Sequence, residues 1–404
     1  MNWKSPLRPL IWLLLACLAA AGMPPGARAQ SLEPVTNVVV TYVFGQSITI
    51  RAQQSADLRP EDVSIRIDLP GSPRSLTGTM VAAADSGLEY VHDMEAGFIQ
   101  AFSSIEFHFM ATLPGGDVWQ SPIYNFYYSD NRFNWQTVER APFRLHWYAG
   151  DTAFTQDVLD AAHDGLRRAN AVLQADVPEQ VDIYTYADLE DYQFTRGQLG
   201  QLWAGGHADP AAGLIILSLP PGDEQQLEIE RKLPHEVAHI MLYQRTGEGF
   251  WNLPVWLNEG FASLMETFPN PDYEFLVSLG LETAELIPLA ELCGAFPGNA
   301  AVAQLAYAES TSFLEYLEAE YGPAGLRALI DSYGQGAGCP TGTQVDPINL
   351  DLETLEANWL AAQRPVPAPP RQPETETALP LLLIAAATLA MPLVLLLGSV
   401  LKRP

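Results

Sequence analysis

His235 and His239 stand four residues apart with Glu236 next to the first of them, and Asn258-Glu259-Gly260 follows downstream. On a helix, a spacing of four puts both imidazoles on one face, one turn above the other. Two nitrogen donors so placed suit a tetrahedral Zn2+. Glu236 is rotated by about 100° around the same helix. That is too far round for an easy third ligand, yet near enough to take a proton from a water held at the metal. A catalytic zinc takes a third protein ligand and keeps one position open for water. Glu259 is the candidate for that third ligand.

These residues need a rigid carrier. Leu227 to Tyr243 reads as an amphipathic helix, with Leu227, Leu233, Val237, Ile240 and Leu242 available for a core. Pro234 precedes His235 and is expected to start or kink the helix there. The competing reading is two core histidines beside a solvated glutamate. The Asn-Glu-Gly segment counts against it as a second, independent match.

With those segments set out, His235-Glu-Val-Ala-His239 and Trp256-Leu-Asn-Glu259-Gly-Phe-Ala resemble the gluzincin metallopeptidases, and among them the bacterial peptidase MA-like proteins. The resemblance covers roughly residues 180–362. It implies His235, His239 and Glu259 as zinc ligands, Glu236 as general base and a peptide or protein as substrate. The gap between His239 and Glu259 holds 19 residues (259 − 239 − 1), one more than is typical of the aminopeptidase branch. An insertion at Thr246-Gly247-Glu248-Gly249 would account for it, since connecting loops tolerate added length. Tyr307-Ala308-Glu309-Ser310-Thr311 is similar to the helix of the aminopeptidase branch whose tyrosine supports the oxyanion. The resemblance therefore offers Tyr307 as a second catalytic residue, against the reading of an ordinary core or surface tyrosine. Glu266, seven residues after Glu259, is read either as a group that orients a histidine or as a solvated glutamate. No Gly-x-Met-Glu-Asn segment is present to grip a free N-terminus, so an endopeptidase is preferred over an aminopeptidase. A binding or structural protein with a non-catalytic zinc site stays open as the alternative from another class.

The elements around the site read as an α+β chain. Residues 30–143 carry short β-branched and aromatic runs, among them Val38 to Val43, Ser47 to Ile50, Val63 to Ile67 and Ile105 to Phe109. Turn signals separate them, which predicts a β-sandwich-like domain. His92 and His108 within it are read as structural. Residues 144–362 are expected to form a gluzincin-like peptidase domain: a small sheet and zinc helices, then an α-rich half. Its predicted elements include strands at Arg144 to Tyr148, Val181 to Tyr186 and Gly213 to Leu219, and a helix at Phe154 to Leu173. By resemblance, Gly213 to Leu219 is the candidate strand for backbone contacts to an extended peptide. The alternative there is an ordinary buried strand, and His207 ahead of it is read as reaching the cleft rim or as merely exposed.

The termini read as targeting segments. Lys4, Arg8, the apolar run from Leu10 to Ala21 and Ala27-Arg28-Ala29 predict a signal peptide over residues 1–29. A lipoprotein-type box at Leu14 to Cys17 and an uncleaved anchor are the weaker readings. Residues 363–377 are Pro-rich and read as a stiff stalk. Residues 378–401 lack charge and are long enough for a transmembrane helix. Lys402 and Arg403 then put the tail, residues 402–404, on the cytoplasmic side. The expected localisation is thus an ectodomain across the cytoplasmic membrane, anchored at its C-terminus; a processed sorting signal is the other reading of the same pattern. With Cys17 removed, Cys293 and Cys339 are an even pair that suggests a disulfide, against two free thiols. The balance of 21 basic and 48 acidic residues, formal net charge −27, argues against nucleic acid as a partner. Oligomeric state is not legible.

Overall fold

A computed structural model describes residues 33–363, apart from 70–74, 85–86, 196–204 and 340. Contacts divide the chain into two units, Met1–Glu353 and Thr354–Pro404.

Among the described residues, the N-terminal part of the first unit holds nine strands: β1 (Val35–Val43), β2 (Ser47–Gln54), β3 (Val63–Asp68), β4 (Ser75–Thr79), β5 (Val81–Ala82), β6 (Leu88–Asp93), β7 (Ser103–Thr112), β8 (Val118–Gln120) and β9 (Tyr124–Tyr128). They make two antiparallel sheets, ordered β1-β2-β6-β5 and β4-β3-β7-β8, with β9 also paired to β7. Alternation decides which face is inside. Val63, Ile65 and Ile67 of β3 are buried while Arg66 between them is exposed, and Ile105, Phe107, Phe109 and Ala111 of β7 follow the same period of two. Each such aliphatic or aromatic side chain contributes about 1.5–3 kcal/mol when fully buried. His92 is buried with Nε2 2.6 Å from the Gly97 carbonyl, and His108 is buried too, so both are part of this packing.

A third sheet follows in the order β10-β11-β12-β14-β13. Its strands are β10 (Gln136–Arg140), β11 (Phe143–Trp147), β12 (Val181–Tyr186), β13 (Gly206–Asp209) and β14 (Leu214–Ser218). β11, β12 and β14 run parallel, and β10 and β13 flank them antiparallel. Because β10 pairs with β11, this sheet starts at Gln136, before the 143/144 boundary read from the sequence. Its aromatic residues also join the core of the first two sheets. Tyr184, Tyr186, Leu214 and Ile216 pack in that cluster, Phe102 stacks on Tyr184 at 3.6 Å, and the Tyr186 hydroxyl donates to Asp130 at 2.9 Å.

Helix α1 (Thr152–Leu173) connects β11 to β12; Asp151 caps it by accepting from the Phe154 amide at 3.0 Å. α2 (Leu189–Phe194) is short. α3 (Gln225–Thr246) carries the paired histidines and packs on α1. Pro234 lies inside α3, ten residues into it rather than at its start. α4 (Val255–Leu264), α5 (Tyr273–Thr283) and α6 (Ala300–Gly334) form the helical half, with α6 broken by a left-handed Gly322 before Pro323. α6 starts at Ala300, where Asn299 caps it by accepting from the Ala301 and Val302 amides. α7 (Leu352–Gln363) crosses from the first unit into the second, and Thr354–Gln363 is what is described of the second unit.

The expected fold class is corrected here. The described chain is mixed α+β, sheets first and helices after, and no helix among the described residues is long and apolar enough to cross a membrane. The physical reason is charge: α1 carries Asp157, Asp160, Asp164, Arg167 and Arg168, and α3 carries Glu228, Glu230, Arg231, Lys232, Glu236 and Arg245. The apolar run at 378–401 lies outside the described residues, as do residues 1–29 and the Pro-rich stretch from 364 onward. The expected localisation, a C-terminally anchored ectodomain, is corrected with the fold class, since no helix among the described residues supports it.

Two stability tests follow from this packing. Burial pushes the Asp182 carboxyl up, but hydrogen bonds from His146, Arg144 and Gln180 outweigh it and hold the group down at about 2. A depressed folded-state value stabilises above the unfolded value of about 3.9 and is lost as pH falls toward 2. Asp182→Asn is therefore expected to cost about 2 kcal/mol at pH 7, and the difference from the parent should shrink near pH 2 in urea unfolding. The Cys293–Cys339 disulfide spans 46 residues. Replacing both cysteines by alanine should lower stability by about 2–4 kcal/mol, read as the shift in denaturation midpoint.

Candidate metal centre

α3 is held by its buried aliphatic side. Ile229, Leu233, Val237, Ile240 and Met241 are each at most 1% exposed, so the helix cannot rotate without uncovering them. That fixes where His235 and His239 point. Their rings lie 5.0 Å apart at 77°.

Glu259 comes to them from the first half of α4. Its Oε2 is 3.4 Å from His235 Nε2 and 3.8 Å from His239 Nε2, and the three candidate ligand atoms all lie within 4.8 Å of one another. Gly260 makes this approach possible. An ideal Cβ there would sit 2.7 Å from the Ser310 carbonyl oxygen, so α4 meets α6 more closely than any side chain permits. Trp256 completes the contact by packing edge-on against Phe313 of α6, at 5.4 Å.

The other nitrogen of each imidazole is also engaged. His235 donates from Nδ1 to Glu266 Oε1 at 3.1 Å, and His239 from Nδ1 to Asn258 Oδ1 at 3.0 Å. A carboxylate or amide oxygen only accepts, so each Nδ1 carries a proton and each Nε2, which faces Glu259, is the atom left to bind a metal in place of a proton. Two imidazole nitrogens and one carboxylate oxygen converging in this way are a donor set that fits zinc. The electrostatics agree. Burial alone would lower the His235 pKa, but Glu259, Glu266 and Glu236 hold it well above the usual histidine value. A field that favours a proton there favours a divalent cation. Burial pushes Glu259 up, yet His239, His235 and the Tyr307 phenol outweigh it and bring its carboxyl down to about 2.

Glu236 is 7% exposed and lies between α3 and β13. Tyr307, on α6, hydrogen-bonds Glu259, and its ring centroid is 6.3 Å from that of His235. Burial and the Glu259 charge push the phenol well above its ordinary value, so it stays protonated at neutral pH. Phe296 stands edge-on to Tyr307 at 5.0 Å. The loop bearing Phe296 is secured twice, by the disulfide at Cys293 and by the fully buried Glu309, which accepts from the Ile287 amide at 3.0 and 3.2 Å.

All five candidate residues, His235, Glu236, His239, Glu259 and Tyr307, thus come together. Glu266 joins them, but from beyond the end of α4 rather than from its face, since that helix stops at Leu264. The sequence assigns Asn258 no role although it adjoins Glu259, because nothing local says that its side chain reaches back to His239. The strand expected to border the cleft is also different. β14 is paired on both sides and buried throughout, and among the described residues β13 is the edge. His207 follows Gly206 on β13, and successive strand side chains face opposite ways. Since Gly206 abuts Glu236, His207 faces away from that carboxylate.

Removing either support of an imidazole is expected to weaken metal binding by about 10–100-fold. Asn258→Ala and Glu266→Gln, titrated with zinc against a chromophoric chelator, test this; parental affinity in both would show that the imidazoles need no such holding.

Residues 161–364 match the model of the Peptidase MA superfamily. No curated protein matches the chain in sequence. Among solved structures, the chain is similar to an M1 zinc metallopeptidase from Deinococcus radiodurans, with 11% identity, 80% of this chain and 91% of that one covered, and a TM-score of 0.33. It is also similar to an aminopeptidase N family protein from Idiomarina loihiensis, with 9% identity, coverage of 82% and 76%, and a TM-score of 0.39. TM-scores this low do not establish a common fold.

Proposed function

The chain belongs to the Peptidase MA superfamily, and on that premise we propose that it is a zinc-dependent peptidase in which His235, His239 and Glu259 hold the metal and Glu236 is the general base. One observation carries this reading: two imidazoles with their Nδ1 atoms engaged direct both Nε2 atoms at Glu259, within 4.8 Å, beside a buried glutamate. When bound, zinc supplies a Lewis acid that polarises a carbonyl and lowers the pKa of water toward about 7.

The chain's own groups do the rest. Glu236 accepts the proton of the attacking water and passes it to the departing amine. The Tyr307 phenol, kept protonated by burial and by the Glu259 charge, turns its single O–H from Glu259 to the carbonyl oxygen as that atom gains negative charge. Glu266 and Asn258 keep the imidazoles from turning. An extended peptide adds to the edge strand β13, its main chain running alongside α3. We read the enzyme as an endopeptidase, because the sequence has no Gly-x-Met-Glu-Asn segment to hold a free N-terminus.

Glu236→Gln is expected to keep one equivalent of zinc and to lose about 10²–10⁴-fold in kcat, measured on a peptide library with and without chelator. A variant as active as the parent would sink the base assignment. N-terminally blocked peptides should be cleaved as readily as free ones; cleavage confined to free N-termini would make it an aminopeptidase. Bound zinc with no cleavage anywhere in the library would make it a binding protein.

A further inference from the structure

Edge strand β13 opens with glycine, and its backbone there does not need one. Gly206 lies outside the left-handed region, where any residue can follow, and it pairs in register with Leu217. Glycine inside a strand is a cost, since it gives up side-chain packing and loses more freedom on folding. What stands where a side chain would be is the carboxylate of Glu236. An ideal Cβ on Gly206 would lie 2.4 Å from Glu236 Oε1 and 3.2 Å from its Cδ, with Leu217 Cδ2 at 2.8 Å. Gly205, one residue earlier, stands in the same relation to Lys232, whose Nζ would be 2.6 Å from its Cβ. Lys232 and Glu236 are one turn apart on α3, and Lys232 donates to the Ser218 carbonyl at 2.9 Å. The two glycines thus let the strand lie against two polar side chains of the zinc helix.

We infer that Gly206 is a positioning residue: the missing side chain at this point of the edge strand is the space in which the Glu236 carboxylate is held. The inference rests on Glu236 being the base. A methyl group on Gly206 must displace something by about 1 Å to reach ordinary carbon–oxygen contact. Leu217 is fully buried on a strand paired on both sides. The Glu236 carboxylate, at the end of three rotatable bonds, is the softest neighbour and moves first. A shift of about 1 Å in a reacting group costs about 100-fold in rate. The same shift leaves the metal ligands where they are.

Gly206→Ala tests this in the full chain. It is expected to bind one equivalent of zinc with parental affinity, to unfold within a few degrees of the parent and to lose about 100-fold in kcat at unchanged KM. Its crystal structure should show the Glu236 carboxylate displaced with His235, His239 and Glu259 in place. Gly205→Ala, which meets only the far end of the Lys232 side chain, should stay within a few-fold of parental kcat. If Gly206→Ala does not fold, Gly206→Ala combined with Glu236→Ala should, because the opposing carboxylate is gone and the Leu217 methyl, 2.8 Å from the new Cβ, can turn into the space it leaves. Parental kcat in Gly206→Ala, an undisplaced carboxylate, equal losses in both glycine variants, or failure of the double variant to fold would each overturn the inference. If Glu236→Gln is itself fully active, the base assignment fails instead, which the two variants run side by side distinguish.

Discussion

Burial of α3 between the third sheet and the helical half is the constraint on which the rest depends. One side of this helix gives Leu233, Val237, Ile240 and Met241 to the core; another presents His235, Glu236 and His239. Because the apolar side cannot be uncovered without losing about 1.5–3 kcal/mol per side chain, the polar side has no rotational freedom. The neighbours then meet it at fixed points: β13 at Glu236, α4 at both imidazoles, and the segment after α4 at His235.

That arrangement gathers charge where charge is costly. Glu236, Glu259 and Glu266 converge on His235, and burying carboxylates together is unfavourable unless cations or donors compensate. The imidazoles and the Tyr307 phenol provide part of that compensation, as the depressed Glu259 pKa records. A divalent cation at the three converging atoms would provide more. The excess of negative charge and the donor geometry therefore point the same way.

Tyr307 depends on a separate scaffold. Its helix is one of the longest elements described, yet the ring is set by a loop: Phe296 against its edge, Glu309 on the Ile287 amide, and the disulfide at Cys293. Gly260 and Trp256 then bring α4 close enough for Glu259 to touch the phenol. The ligand set and the phenol are thus coupled through the α4–α6 contact.

The sequence by itself determined what is local. A four-residue spacing on a helix with an apolar side is enough to align His235 with His239, because 3.6 residues make a turn whatever surrounds it. The β-strands at 63–68 and 103–112 were readable from their alternation for the same reason. The need of a catalytic zinc for a third ligand offered Glu259, and resemblance supported it and added Tyr307; their distances from the histidines along the chain say nothing about proximity. The membrane-spanning helix in the expected fold rested on an apolar run alone, and none of the described helices supports it. Tertiary structure decided the rest: that β13 and not β14 is the edge, that Asn258 and Glu266 hold the imidazoles, and that Gly206 makes room for the base. Strand order and side-chain contacts between distant segments depend on which surfaces pack together, and no short-range pattern encodes that.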